Sequence, residues 1–109
     1  MPVEEIESIE EWNLFIESLW KQCKESIFVI DAYAEWCGPC KAVKPKYIQL
    51  SELYPNIKFL SIDIEKVPRI AKEFEIASMP TFLIFKGFKM VKRIVGADIQ
   101  AVKNSIENC

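Results

Sequence analysis

The amino-acid sequence predicts an α/β domain with a central mixed sheet and helices on both of its faces. One reason is that helical apolar spacing alternates with short runs that are apolar on both alternating faces, as in strands covered on both sides. The other reason is the order of these segments, since strand and helix alternate first and a hairpin and a helix follow. Purely parallel sheets and helical bundles do not combine these two features.

The first predicted helix begins after Ser8, a candidate N-cap, and has Glu10 and Glu11 in its first turn. Its apolar positions recur at spacings of three and four and are Ile9, Trp12, Phe15, Ile16, Leu19 and Trp20. Residues 27–34 follow and are apolar on both alternating faces, so they predict a strand in the middle of the sheet.

A second helical pattern is interrupted by Pro45, and its apolar positions are Val43, Tyr47, Leu50 and Tyr54. Proline removes one backbone donor, and because the pattern resumes beyond it we expect a kink and not an end. Residues 57–63 predict another buried strand. A short helix with Pro68 near its first turn follows this strand.

The C-terminal part predicts a hairpin and a last helix. Residues 81–86 and 89–95 are two strand patterns joined at Gly87, close enough in sequence to pair antiparallel. Asp98 is a natural N-cap for a helix whose buried face carries Ile99, Val102 and Ile106. With 109 residues and no repeat or linker, residues 1–109 are expected to form a single domain.

Composition excludes several classes of function. Half of the residues are apolar and the net charge is −2, which argues against a disordered chain and against a nucleic-acid-binding surface. The absence of histidine excludes a His-based triad and a His-ligated zinc site. The apolar runs are strand-sized, so we expect no membrane span. An acidic N-terminus predicts no secretory signal and a reducing, cytoplasmic location, with an organelle left open.

The residues that carry chemistry are Cys37 and Cys40, in the segment Trp36-Cys37-Gly38-Pro39-Cys40 between a buried strand and a helix. Two cysteines at this spacing lie one helical turn apart, close enough to form a disulfide. The helix N-terminus favours a thiolate, which is the nucleophile of disulfide exchange. We expect Cys37 to be exposed and to attack a partner's disulfide, and Cys40 to be shielded and to resolve the mixed disulfide.

The residues between the cysteines favour a reductant. Gly38 allows a partner's backbone to approach closely, and Pro39 brings no charge or donor to the pair. A zinc site is the alternative for such a pair, but only Cys23 and Cys109 remain as further cysteine ligands and they lie far apart in sequence. We therefore expect no bound metal.

The chain resembles the thioredoxin family in residues 30–41, which include Trp-Cys-Gly-Pro-Cys-Lys, in Met79-Pro80-Thr81 and in Val95-Gly96-Ala97. The resemblance implies the thioredoxin fold, with a sheet of about five strands flanked by about four helices. It also implies a monomeric protein-disulfide reductase that binds no cofactor. Its electrons would come from NADPH through a thioredoxin reductase, and its other partners would be disulfide-containing client proteins.

The resemblance also assigns further site residues. Asp31 lies in a strand that is apolar on both faces, so we expect a buried carboxylate with a raised pKa. The resemblance implies that Asp31 is the base for Cys40. Met79-Pro80 resembles the family's cis-proline loop, and Met79, Pro80 and Thr81 would contact a partner strand. Trp36 would be a flat contact surface, and Val95, Gly96 and Ala97 would complete an apolar rim.

Three features depart from the family pattern or stand outside it. Glycine comes directly after Phe-Lys, at Gly87, which changes the predicted hairpin turn. The lysine that some members carry beside the buried aspartate is absent from Phe59-Leu60-Ser61. Cys23 and Cys109 lie outside the motif: Cys109 continues the apolar spacing of the last helix and could pack there, and a regulatory or intermolecular disulfide through either thiol is the alternative. The alternative function is a binding or scaffold subunit with this fold, in which the redox activity is incidental.

Overall fold

The computed structural model describes residues 3–22 and 25–109 of the chain. Within these ranges the chain forms five strands and four helices. In order they are β1 (Val3–Ile6), α1 (Ile9–Lys21), β2 (Ile27–Tyr33), α2 (Gly38–Leu53), β3 (Lys58–Asp63), α3 (Pro68–Glu73), β4 (Thr81–Lys86), β5 (Lys89–Val95) and α4 (Ile99–Glu107). This content confirms the predicted fold class.

The strands form one mixed sheet in the order β1-β3-β2-β4-β5. The first three strands of that order pair in parallel, whereas β4 pairs antiparallel with β2 and with β5. Strand β1 was missed by the sequence pattern, because its four residues include adjacent Glu4 and Glu5 and show no apolar run. Its position becomes evident only when it pairs with β3 at the edge of the sheet.

The two faces of the sheet bury different clusters. Phe28 and Ile30 of β2 pack in a cluster with residues of α1 and with Ile70 of α3, whereas Val29 packs in a cluster with residues of α2 and α4. Successive residues of a strand point to opposite faces, so Asp31 lies on the same face as Val29. The helices therefore cover both faces, as the two-sided apolar strands predicted.

Helix ends follow the sequence signals. The Ser8 side chain accepts a hydrogen bond from the Glu11 backbone N–H at 3.1 Å, and Asp98 accepts one from the Ala101 N–H at 3.0 Å. Helix α2 continues through Pro45, as expected. Gly87 adopts φ +63° in the hairpin turn, a conformation that glycine adopts without steric cost.

One helical position was predicted wrongly. Trp20 was expected on the buried face of α1, but 61% of its surface is exposed and its ring packs on Phe88, 4.6 Å between centroids. A residue directly after Leu19, which is buried, is turned about 100° around the helix axis. This rotation carries Trp20 off the stripe that faces the sheet and onto the β4–β5 turn.

Candidate active site

The two cysteines of the motif form a disulfide at the first turn of α2. Cys37 is the N-cap in an extended conformation, and its Cα lies 5.3 Å from that of Cys40. The backbone N–H of Cys40 donates to Cys37 Sγ at 3.2 Å. Pro39 occupies the first turn, where a missing N–H costs no intrahelical hydrogen bond. The helix therefore begins at the cysteine pair, as the sequence predicted.

The predicted difference in exposure between the cysteines is wrong for this oxidised state. Cys37 is 5% exposed and Cys40 is 4% exposed. Both pack with Ala34, and Met79 lies against them. The Cys37 Sγ atom is 3.7 Å from the Met79 carbonyl oxygen. Cys37 was predicted to be exposed because it lies at the end of a loop. In the folded chain its sulfur is covered by Cys40 and by the loop before β4.

The helix N-terminus stabilises negative charge on Cys37 once the disulfide is reduced. The side chain already accepts the Cys40 N–H, and the first-turn amides of α2 carry a partial positive charge. Both effects favour a thiolate over a thiol at such a position. The arrangement is therefore suited to thiol–disulfide exchange.

Asp31 is the buried charge of the site. Its side chain is 3% exposed, and its Oδ1 has no hydrogen-bond partner among the described residues. Burial raises the pKa of this carboxyl from 3.8 to about 7, although the nearby Lys44 lowers it and Glu5 raises it further. A cavity of about 250 Å³ is lined by both Asp31 and Cys40. The buried, high-pKa carboxylate expected from the sequence is present beside the inner cysteine.

The cation near Asp31 is Lys44, which comes from α2 and not from β3. Ser61 lies opposite Asp31 in the β2–β3 register, so β3 supplies no lysine here. Lys44 lines the same cavity from α2 instead. It is four residues after Cys40, and residues at that spacing share a helix face, which is the signal that could have found it. Glu5 and Tyr33 were also missed as neighbours of this site.

The expected contact residues lie around the disulfide on three loops. Trp36 is 65% exposed, and its Nε1 donates to Glu65 at 3.0 Å. The Met79–Pro80 bond is cis, as the resemblance implied. The Gly96 N–H donates to the Pro80 carbonyl at 2.8 Å, which joins the loop after β5 to the loop before β4.

The remaining members of the rim are arranged as follows. Thr81 is buried opposite Val95, which is 61% exposed, while Ala97 is exposed. Gly38 is exposed, and a Cβ added to it would meet no atom within 4 Å. The surface at Gly38 is therefore open to an approaching backbone, as expected.

Cys109 is the cysteine outside this disulfide that the structure describes. Cys109 is exposed, so its extension of the apolar spacing of α4 does not bury it. Cys23 lies outside the described residues. Across residues 3–22 and 25–109, no three His, Cys, Asp or Glu side chains are grouped to hold a metal ion. None of the described helices is both long and apolar enough to cross a membrane.

Comparison with known proteins places the chain among similar sequences and structures. The thioredoxin family model matches residues 6–108. Thioredoxin-1 of Saccharomyces cerevisiae is 40% identical over 83 residues, which are 76% of this chain and 81% of that protein. Thioredoxin NaTrxh from Nicotiana alata superposes with a TM-score of 0.92 at 36% identity, covering 98% of this chain and 91% of that chain. Oxidised mitochondrial Thioredoxin 3 from Saccharomyces cerevisiae superposes at 0.84 with 33% identity, covering 98% and 95%.

Proposed function

The chain belongs to the thioredoxin family and is a thiol–disulfide oxidoreductase, and on that premise we propose that Cys37 and Cys40 divide its reaction between them. The Cys37 thiolate attacks a client disulfide and forms a mixed disulfide, which releases one client sulfur as a thiolate. The Cys40 thiolate then attacks Cys37 Sγ, and the electron pair of the broken bond leaves on the second client sulfur. The client is reduced by two electrons, and the Cys37–Cys40 pair is oxidised.

The observation that carries this assignment is the disulfide at the N-terminus of α2. The two sulfurs are bonded across the first turn of the helix, and the second step of the reaction forms the same bond. The partial positive charge of the helix end supports the assignment of Cys37 as the attacking residue, because Cys37 is the N-cap. Cys40 lies one turn further along α2, where it is placed to resolve the intermediate.

Asp31 is the proposed base for Cys40. In the resolving step its carboxylate accepts the proton of the Cys40 thiol, and in the return half-cycle its carboxyl gives the proton back. A pKa of about 7 supports this role, because both protonation states are then populated near neutral pH. The shared cavity of about 250 Å³ has room for water between the two groups.

The proposed client-binding surface surrounds the disulfide. Exposed Trp36 supplies a flat apolar contact, and the loop before β4 offers the backbone of Met79 to an extended partner segment. The redox-loop residues Gly38 and Pro39 are exposed, so a client backbone can approach the loop beside the disulfide. The proposed contact residues are Trp36, Met79, Val95, Gly96 and Ala97, whereas Pro80 and Thr81 are buried and would hold the loop before β4 in place.

We also propose an electron donor and a cellular location for this chain. The general partners of the family are a reductase and disulfide-containing clients, and we assign this chain a thioredoxin reductase that draws on NADPH. The chain then acts as a monomeric, single-domain electron carrier over residues 1–109 in the cytoplasm. A similar structure is named mitochondrial, so mitochondrial recovery in a cell-fractionation experiment is the outcome that would overturn the location.

The test measures NADPH consumption with a thioredoxin reductase and insulin as the model disulfide protein. The wild-type chain is expected to couple the two, and Cys37→Ser to abolish the coupling. Cys40→Ser should instead accumulate a mixed disulfide with insulin that dithiothreitol releases. Cys109→Ser is the matched control, because it removes an exposed thiol outside the site. Turnover by Cys37→Ser equal to that of the control would contradict the assignment.

A further inference from the structure

A row of polar side chains crosses the sheet next to the redox site. Glu5 of β1 is in register with Ser61 of β3, and Ser61 is in register with Asp31 of β2. In-register residues of parallel strands point to the same face and lie about 5 Å apart from strand to strand. Two carboxylates therefore flank one small serine on the face that α2 covers.

The space above this row is open on both sides of the serine. Ser61 and Lys44 line the cavity beside Cys40, and they also line a second cavity of about 510 Å³ that Glu5 borders. Lys44 of α2 lines both cavities, and its charge acts on both carboxylates. The position of this one cation decides how much of its charge reaches each of them.

The described contact of Lys44 is with Tyr33, a side chain that is hydrogen-bonded to Glu5. Its Nζ lies over the Tyr33 ring, 5.5 Å from the centroid, an attraction between a cation and an aromatic face. The Tyr33 hydroxyl donates to Glu5 Oε2 at 2.7 Å. Within the described residues, Lys44 forms no direct ion pair with Asp31 or with Glu5. Glu5 thus fixes the ring on which the ammonium lies.

We propose that Glu5, through Tyr33, holds the Lys44 ammonium away from Asp31 and is thereby a positioning residue for proton exchange between Asp31 and Cys40. The inference rests on the proposed function in that Asp31 is the base for Cys40. Glu5 itself touches no reacting atom. Its effect is to keep the proton affinity of Asp31 high enough for exchange near neutral pH.

Nearby charges and burial shift the pKa of both Asp31 and Glu5. The Lys44 charge lowers the pKa of Asp31 and the Glu5 charge raises it. Burial raises the pKa of Glu5 itself, while the hydrogen bond from Tyr33 and the charge of Lys44 lower it.

Further charges face Glu5 and Tyr33 from neighbouring elements. Glu7 of the same edge segment and Lys66 before α3 also face Glu5, but these two pair with each other at 3.5 Å. The charges of Asp63 and Glu35 face Tyr33, whose pKa burial raises well above its usual range. Lys44 is thus the cation that the Asp31 and Glu5 carboxylates both face.

The test follows the Asp31 carboxyl by ¹³C NMR in oxidised protein labelled at aspartate, which is practical because the chain has three aspartates. Glu5→Gln keeps an oxygen that accepts from Tyr33 but removes the charge that attracts Lys44. We expect the Asp31 titration to move down by about half a pH unit, about a threefold change in proton affinity. The pH profile of insulin reduction is expected to move the same way.

Two further variants separate positioning from a direct charge effect. In a Lys44→Gln background, the shift caused by Glu5→Gln is expected to fall to less than half, since no ammonium remains to be released toward Asp31. Glu5→Asp keeps the charge but shortens the reach to Tyr33, and the Asp31 titration is again expected to move down. An equal shift with and without Lys44, or no shift in Glu5→Asp, would overturn the role of Glu5 in positioning Lys44.

The matched control is Glu4→Gln. Glu4 is the neighbouring residue on β1, but its side chain belongs to the other face, where it pairs with Lys58 at 3.3 Å. Its removal is expected to leave the Asp31 titration unchanged, and a shift equal to that of Glu5→Gln would overturn the inference. The NMR titration needs no turnover, so a shifted titration with an unchanged rate in Asp31→Asn would contradict the proposed base and leave the Glu5 contact standing.

Discussion

The two faces of the central sheet are built from the same strands but bury different chemistry. On the α1/α3 face, Phe28 stacks on Phe85 with centroids 4.7 Å apart, and Phe15 meets Phe28 edge-on at 5.1 Å. On the α2/α4 face, the strands bury the carboxyl of Asp31, and the Tyr47 hydroxyl lies among backbone carbonyls. The first face holds apolar side chains at its centre, whereas the second holds ionisable groups.

This difference indicates how the fold combines stability with reactivity. Burial of aromatic and aliphatic surface on the α1/α3 face stabilises the folded chain at every pH. A buried carboxylate with one unpaired oxygen destabilises the folded chain whenever it is ionised. That cost falls on the face that α2 covers. Helix α2 is also the helix that begins at the cysteine pair. We therefore expect the two faces to respond to different kinds of substitution.

The largest expected effect comes from opening the apolar face. Phe28→Ala removes a ring that is 1% exposed and in contact with two other rings, so the free energy of unfolding should fall by about 3–5 kcal/mol. Denaturant unfolding of the oxidised protein measures this loss. The pH profile of insulin reduction should stay in place while the variant is folded. A loss below about 1 kcal/mol would show that this face does not carry the core.

Removing the charge from the other face should have the opposite sign. The folded pKa of Asp31 is about 7 against 3.8 unfolded, so the folded state binds the proton more tightly. The contribution of Asp31 to stability is complete below the unfolded pKa and is lost as the pH rises through the folded one. Asp31→Asn should therefore be more stable than the wild type above pH 7, by on the order of 4 kcal/mol, and similar to it near pH 4.

The same variant should be slower in insulin reduction near neutral pH, because asparagine accepts no proton from Cys40. Urea unfolding at several pH values and a turnover assay measure the two effects on one sample. A rate equal to that of the wild type would reduce Asp31 to a structural residue. A stability difference that does not grow between pH 4 and pH 8 would contradict the raised pKa.

A smaller effect is expected from the hydroxyl of Tyr47, which lies on the α2/α4 face. It donates to the Leu60 carbonyl at 2.8 Å, and the Val29 carbonyl is 3.3 Å away. Tyr47→Phe keeps the ring and removes the hydrogen bond, so we expect a loss of about 1 kcal/mol in the free energy of unfolding. Thermal unfolding measures it. A loss above about 3 kcal/mol would indicate a wider polar network on this face.

The smallest expected effect is the difference in stability between variants that lose the helix cap on one face and on the other. Ser8→Ala removes the N-cap of α1, and Asp98→Ala removes that of α4. Each variant should lose about 1 kcal/mol of stability, because a cap depends on local hydrogen bonds and not on the core beneath the helix. Paired denaturant curves test this equality. A clear excess for either variant would mean that its cap also supports the face it covers.

Much of the fold could be predicted because it depends on local spacing. The caps Ser8 and Asp98, the hairpin turn at Gly87 and the strand-to-helix junction at Cys37 are all set by residues within a few positions of each other. Strand β1 escaped prediction because a four-residue edge strand with two glutamates has no pattern of its own. Edge strands gain their stability from the neighbour they pair with.

The sequence by itself determined the redox pair, its place at a helix start and the burial of Asp31, since each follows from residue type and spacing along one segment. Only the tertiary structure decided that Cys37 is covered by the loop of Met79, and that Lys44 of α2 lines the cavity beside Asp31 while β3 places Ser61 there. The reason is that these contacts join elements far apart in the chain. Their distances follow from strand register and helix packing, which no single segment encodes.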